Sequence, residues 1–401
     1  MPNHPTRSDI DLVSGLFYAS NPMEQYAWMR ANAPVYFDES NGVWGIAGYE
    51  DIKAISKDPA TFSSAGGIRP EHGPLPMMID MDDPGHCRRR ALVNRGFTPR
   101  QVRELEPKIR AACDEIIDSV CERGECDFTL DIAAPLPMIM IGDALGVAPE
   151  DRTRLLLWSD QMVSSLSNRA SPQSMMQAAS AFANYSAYAT QVISDRRSRP
   201  PQDDLMSVLV HANVDGDRLS DQELIQESLL ILIGGDETTR HVITGGVEAL
   251  LRHPEQHRRL RAEPSGISVA VEEMLRWVSP LKNMARTITQ DVEFRGQQLV
   301  AGQKLLLLYH SANHDESVFD EPDRFDISRS PNDHLAFGFG THFCLGAALA
   351  RLEVQVMVER VLARLPDLEL TGPTPLRPAN FVVGFETMPV RFSPSRPLTG
   401  C

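Results

Sequence analysis

Two short stretches of this 401-residue chain combine residue types and spacings that could do chemistry: Phe337 to Gly346, FGFGTHFCLG, and Gly234 to Thr239, GGDETT. In the first, Cys344 stands among Gly338, Gly340 and Gly346, which lack the Cβ that would bar a sharp turn or hold the backbone away from a flat ligand. Apolar residues then recur at Leu345, Leu349, Leu352, Val356, Leu362 and Leu365, the spacing of an amphipathic helix. Cys344 is therefore expected at a helix N-terminus. There the dipole and unpaired N–H groups favour an anion and predict a thiolate, which is a metal ligand. A lone cysteine is more often a small buried hydrophobe, and the glycine context is what turns the reading toward a ligand.

The second stretch lies inside the longest periodic segment, Asp221 to Arg252, which as a helix would span about 45 Å and cross the molecule. Gly234 and Gly235 cost a helix roughly 1 kcal/mol each relative to alanine. Close packing against another helix would explain them; so would room beside the backbone for a flat cofactor and a small gas molecule. Thr238 is placed to bond back to the Gly234 carbonyl, bending the helix and leaving a groove. A third pair, His86 and Arg90, shares one face of a helix opened by Asp83 as N-cap and Pro84 at N1.

The elements that must position these groups are marked out by the punctuation of the chain. Met23 to Ala31 reads as a helix, and Asn41-Gly42 marks a hairpin. A glycine- and proline-rich loop runs from Ser63 to Pro76 and leads to Met77, Met78 and Ile79 on a flexible segment. From 101 to 200 the chain reads as helices separated at Pro107, Pro135, Pro137, Pro149, Pro172 and Pro200. Ser268 to Trp277 is a helix holding Glu273 and Arg276, and short strands are expected around Arg295-Gly296 and Ala301-Gly302. Residues 319 to 331 read as irregular, and a small sheet comes after the last helix. No linker or repeat divides the chain, so residues 1–401 are read as one unit.

A net charge of −15 argues against a nucleic-acid partner. The first residues, MPNHPTRSDIDLV, lack an apolar core, and no run approaches the roughly 18 to 20 apolar residues of a membrane span. The expectation is a cytoplasmic protein without a membrane anchor. The six cysteines show no paired spacing, so neither a zinc site nor a disulfide framework is indicated, and Cys121 and Cys126 read as bystanders. Arg88 and Arg89 form, with Arg95, Arg100 and Arg103, a local basic cluster, read as a solvated face or as a docking patch for an acidic electron donor.

The cysteine stretch resembles the ligand loop of the cytochrome P-450 family, whose pattern Phe-x-x-Gly-x-His/Arg-x-Cys-x-Gly is met by Phe337, Gly340, His342, Cys344 and Gly346. GGDETT resembles that family's oxygen-activation motif, with Glu237 as the acid and Thr238 as the hydroxyl. The resemblance covers nearly the whole chain. It implies a mainly α fold with small β-sheets and haem b (iron protoporphyrin IX) between the long central helix and the cysteine loop. Cys344 would be the metal ligand, pushing electron density onto the iron to favour O–O cleavage. His86, Arg90 and Arg286 would hold the propionates, and Gly235, Phe337, Gly338, His342 and Gly346 would also contact the haem. Glu237 and Thr238 would deliver protons. Order in the chain assigns Glu273 and Arg276 to a buried structural pair with Arg324 as third partner, although three other E-x-x-R pairs have the same spacing.

The resemblance further implies a monooxygenase that puts one atom of O2 into a C–H bond, with electrons from NAD(P)H through ferredoxin reductase and ferredoxin. The stretches that face the distal side in the family, Leu75 to Ile79, Leu229 to Gly235, Val278 to Met284 and Phe381 to Val383, are almost wholly apolar, with Lys282 the one charge. They suggest a large lipophilic substrate contacting Ile68, Met77, Met78, Leu232, Val278, Met284, Phe381 and Val382. AGGIRP, LPMMIDMDDP and ILIGGDETTRH look like the actinobacterial branch that hydroxylates the side-chain terminus of cholesterol and cholest-4-en-3-one. Fatty acids, terpenoids and macrolides remain alternatives for the substrate. A haem-based gas sensor or a peroxide-driven enzyme would not need the Glu237–Thr238 pair.

Overall fold

The long segment folds as one uninterrupted helix, Asp221–Arg252, with the bounds its periodicity predicts. A capping box starts it: Glu223 N donates to Ser220 Oγ at 3.3 Å, and Ser220 N donates to Glu223 Oε2 at 2.8 Å. Beyond its first turn the helix is buried on nearly every side. It packs against the helices Pro135–Ala144, Pro172–Ser198, Ile267–Val278 and Ala347–Arg364. Val242, Ile243 and Val247 of the long helix meet Met274, Val356, Met357 and Phe128 in the main core.

This computed structural model describes residues 4–164 and 171–398. Cys401, counted among the six cysteines, lies outside the described residues. Most of the prolines expected to separate helices instead start them. Pro107, Pro135, Pro149 and Pro172 occupy first turns, where the N–H that proline lacks has no intrahelical partner to lose.

The β structure is small, as expected. The hairpin Val35–Asp38 and Val43–Ile46 turns through Gly42 at φ +66°. It opens a five-stranded sheet that continues through Lys304–Leu307, Met284–Ile288 and Phe62–Ser63. The pairing Met284↔Leu307 and Arg286↔Leu305 fixes which side chains of that strand face inward. A three-stranded sheet joins Glu125–Asp127, Pro389–Arg391 and Glu369–Leu370, the last two lying beyond the final helix.

Four local expectations are corrected. The helix after Asp83 runs Gly85–Val93 with Pro84 as N-cap; Asp83 still serves a free N–H, but one turn in, with Oδ1 accepting from Cys87 N at 3.0 Å. Met77 and Met78 are not on a free segment. Both are 5% exposed, and Met78 N donates to Glu227 Oε1 at 2.9 Å.

The basic cluster is open only in part, because the acidic start of the long helix lies across Arg88 and Arg89, while Arg95, Arg100 and Arg103 stay exposed. Arg88 is taken up by Asp217 and Glu223, at 2.5 and 2.7 Å, and Arg89 by Glu227 at 2.8 Å. Finally, Arg324 pairs with Glu321 at the surface. Arg329 is the third member of the buried pair, at 3.2 Å from Glu273, while Arg324 contributes only its carbonyl, which accepts from Arg276 and Arg329.

Candidate functional site

The cysteine loop takes its shape from two backbone positions. Gly338 and Gly340 sit at φ +71° and +75°, the left-handed region, and a Cβ on Gly340 would lie 2.6 Å from the Ser56 carbonyl oxygen. Cys344 N donates to Phe337 O at 2.9 Å, closing the loop. The helix after it begins at Ala347 with Gly346 as N-cap, so Cys344 precedes the first turn by two residues instead of opening it. Burial pushes its thiol up, outweighing the Gly346 N–H, Arg90 and Arg351, which pull the other way. The helix dipole alone does not make the thiolate; coordination of a metal ion deprotonates a thiol outright.

Cys344 faces an interior cavity, and most of the expected site residues share its wall. Towards the cysteine these are His86, Arg90, Phe337, Gly338, His342 and Gly346; on the long helix they are Gly235 and Thr238. Ile68, Met77, Met78, Met284, Phe381 and Val382 line the remainder.

Five expected residues are not on this wall. Leu232 points to the opposite side of its helix, into the cluster with Leu145, Leu209 and Leu229, while Leu230, Ile231 and Ile233 face the cavity. Val278 fills the space that Gly245 leaves, within 2.7 Å of where a Cβ would stand, and Pro280 and Leu281 line in its place. Arg286 is buried beside Tyr309 and His342, close enough for its charge to add to burial in holding the imidazole of His342 down. Glu237 faces away, toward Arg377 and Arg240. Lys282, expected as the distal charge, is likewise off the wall: Nζ donates to Val278 O at 2.8 Å, and burial pulls its pKa down to about 7.

The residues present fit a flat group carrying carboxylates. A Cβ on Gly234 of the long helix, or on Gly346 across from it, would meet nothing within 4 Å, so backbone on both sides faces open space. Gly235 is different, since its missing Cβ admits Ile141 at 2.7 Å, which is helix packing. The rings of His86 and His342 lie 4.2 Å apart between centroids, and His86 Nδ1 is buried with Asp83 Oδ1 3.5 Å away. Burial keeps both imidazoles neutral, with His342 pushed down to about 3. Burial also lowers Arg90, whose Nη2 donates to Phe343 O at 2.6 Å. Arg90 and two imidazoles thus stand at the cysteine end with Arg286 behind them, a donor set suited to carboxylates.

On the long helix, Thr238 Oγ1 donates to Gly234 O at 2.6 Å, the expected back-bond. Glu237, one position earlier, is rotated about 100° around the axis and so turns from the cavity. Its Oε1 accepts from Arg377 at 2.9 Å and Arg240 at 3.0 Å, while Oε2 is buried without a partner. Arg240 also lies 3.5 Å from Asp160. Arg377 comes from the segment after the last helix, and no feature of the sequence pointed to it.

Sequence reasoning also missed Arg69 and Glu353 on the cavity wall. Burial and the neighbouring Asp236 raise Glu353 to about 8, and burial raises Asp236 to about 7. Beneath the site, Glu273 and Arg276 are fully buried and joined by two bonds of 2.8 Å. Glu273 also accepts from Asp326 N at 2.9 Å and from Asn332 Nδ2 at 3.2 Å.

Comparison with known proteins agrees with this geometry. The family model described as Cytochrome P-450 matches residues 156–370. The Steroid C26-monooxygenase of Mycobacterium tuberculosis is 56% identical over 394 residues, covering 97% of this chain and 98% of its own. The enzyme of the same name from Mycolicibacterium smegmatis is 55% identical, over 98% of each chain. Among solved structures, CYP109E1 of Bacillus megaterium in complex with testosterone superposes with a TM-score of 0.86 at 33% identity, covering 93% of this chain and 99% of that one. Among the described residues no helix is long and apolar enough to cross a membrane.

Proposed function

Because the chain belongs to the cytochrome P-450 family, and is therefore a monooxygenase that uses a haem iron, O2 and electrons from a redox partner, we propose that it hydroxylates the side-chain terminus of a steroid such as cholest-4-en-3-one. The haem is haem b, the electron donor a ferredoxin supplied by its reductase and NAD(P)H, and the site of action the cytoplasm. Cys344 is the residue that would hold the iron, and His86, Arg90, His342 and the deeper Arg286 would take the propionates. When bound, the haem supplies activation of O2 and insertion of one oxygen atom into an unactivated C–H bond.

The protein's own groups then divide the remaining work. Ile68, Met77, Met78, Met284, Phe381 and Val382 hold an apolar substrate and exclude water, and the two methionines at 77 and 78 adapt to its outline. Thr238, at the cavity surface with its hydroxyl tied to Gly234 O, is the group that can hand a proton inward. Glu237 lies one residue behind it against Arg377 and Arg240, placed to bring that proton from the other side of the helix.

The observation that carries the reading is the pairing of this cavity, apolar apart from its cysteine end and a few polar groups, with more than half identity to steroid monooxygenases along almost the full chain. The test is a titration monitored by the iron spin-state shift. Cholest-4-en-3-one is expected to bind far more tightly than a long-chain fatty acid or a macrolide precursor, and to be converted to a terminal alcohol. Tighter binding of either competitor would overturn the substrate assignment.

A further inference from the structure

We propose that Arg69 is a substrate-binding residue that donates hydrogen bonds to an uncharged oxygen at the polar end of the substrate. On the steroid assignment, on which this inference rests, that oxygen is the 3-oxo group. Arg69 and Arg90 are the two arginines of the cavity wall. Arg90 belongs to the cysteine end, where it donates to Phe343 O. Arg69 stands among Ile68, Leu75 and Phe381, in a part of the wall that is otherwise apolar.

The bonding around Arg69 is incomplete in a particular way. It is 5% exposed, and Nη1 donates to Asp80 Oδ2 at 2.8 Å. Asp80 also holds two backbone groups, with Oδ1 accepting from Ile68 N at 2.9 Å and Oδ2 from Leu75 N at 2.8 Å. Nε of Arg69 is buried with no hydrogen-bond partner. The guanidinium is also held in place: its Cζ lies 5.7 Å from the centre of the Phe381 ring. Lys304 Nζ pins its backbone by donating to Arg69 O at 2.9 Å and His72 O at 2.8 Å.

A buried guanidinium with N–H groups left over carries a cost that an acceptor from outside removes. Asp80 already cancels the charge, so the acceptor that suits the site is a neutral oxygen; a second carboxylate would face the first. A ketone or hydroxyl at one end of a long apolar molecule has this chemistry. With that oxygen at Arg69, the hydrocarbon end is the part left to lie along the methionine-lined wall.

The experiment measures dissociation constants, by spin-state shift of the haem-loaded enzyme, for cholest-4-en-3-one and for cholest-4-ene, the same skeleton without the oxygen. Wild type is expected to prefer the ketone by about tenfold or more, the range for a hydrogen bond to a charged group. Arg69→Met combined with Asp80→Asn, which leaves no lone buried charge, should bring the ratio near one while cholest-4-ene binds as before. Should that variant fail to fold, Arg69→Lys keeps the partner of Asp80 but loses the planar fork, and should also lower the ratio. Retention of the wild-type ratio in a folded variant, or a ratio near one in wild type, overturns the proposal. Wild type that binds neither sterol overturns the steroid assignment itself, and this inference falls with it.

Discussion

The cysteine end of the cavity and its far wall are assembled differently. The cysteine end is mostly one continuous piece of chain, Phe337 to Gly346, bent by two left-handed glycines. The far wall is drawn from separate stretches that include Ile68 with Arg69, Met77 with Met78, Leu230, Ile231 and Ile233, Leu281 with Met284, and Phe381 with Val382. Each is fixed by its own remote contacts, such as Glu227 under Met78. Local geometry fixes the groups we propose for the reaction, and tertiary packing fixes those we propose for choosing the substrate. Change at the first should be all or nothing; change at the second should be graded.

Cys344→Ala is the harshest test of that division. It should remove the thiolate-type absorption of the reduced carbon monoxide complex and all turnover, and an unchanged spectrum would refute the ligand assignment. Arg276→Ala comes next. It leaves Glu273 buried with Arg329 as its remaining cation and takes the donor from the carbonyls of Asn313 and Pro322, a loss of about 3 kcal/mol, seen as a large fall in melting temperature and in haem-loaded yield. A melting temperature indistinguishable from wild type would deny the pair its supporting role.

Thr238→Ala, on the helix between the two regions, should keep haem and substrate binding but lower product formed per NAD(P)H by about 100-fold, with reducing equivalents appearing as peroxide. Full coupling in that variant would remove Thr238 from proton delivery. The smallest effect is expected from Glu227→Gln, which weakens the Arg89 contact beneath Met78 while preserving an acceptor for the Met78 N–H. Sterol affinity should fall by a few-fold with the carbon monoxide spectrum unchanged. Loss of haem in this variant would break the distinction between the two regions.

The same division explains what could be read from the sequence. The glycine loop, the long helix with its bounds, and the Thr238–Gly234 bond are local features, and residue type with spacing suffices for them. The far wall was read less well. Leu229 to Ile233 is apolar at every position, so periodicity carries no phase, and Leu232 could not be told from Ile231 or Ile233. Arg329 rather than Arg324 reaches Glu273 because the irregular stretch from 319 to 331 folds back on itself, which no period announces. Arg377 and Arg69 meet their partners through tertiary contacts that neither motif nor spacing encodes.

Glu273 accepts bonds from Arg276, Arg329, Asn332 and the Asp326 backbone, all away from water. Each of these donors that leaves takes a bond from a buried carboxylate, so the meandering chain around residues 320 to 332 is held by the polypeptide itself. The cysteine loop that follows at Phe337 therefore starts from a base already in shape, and the entropy of freezing residues 320 to 332 is met in folding and not in binding.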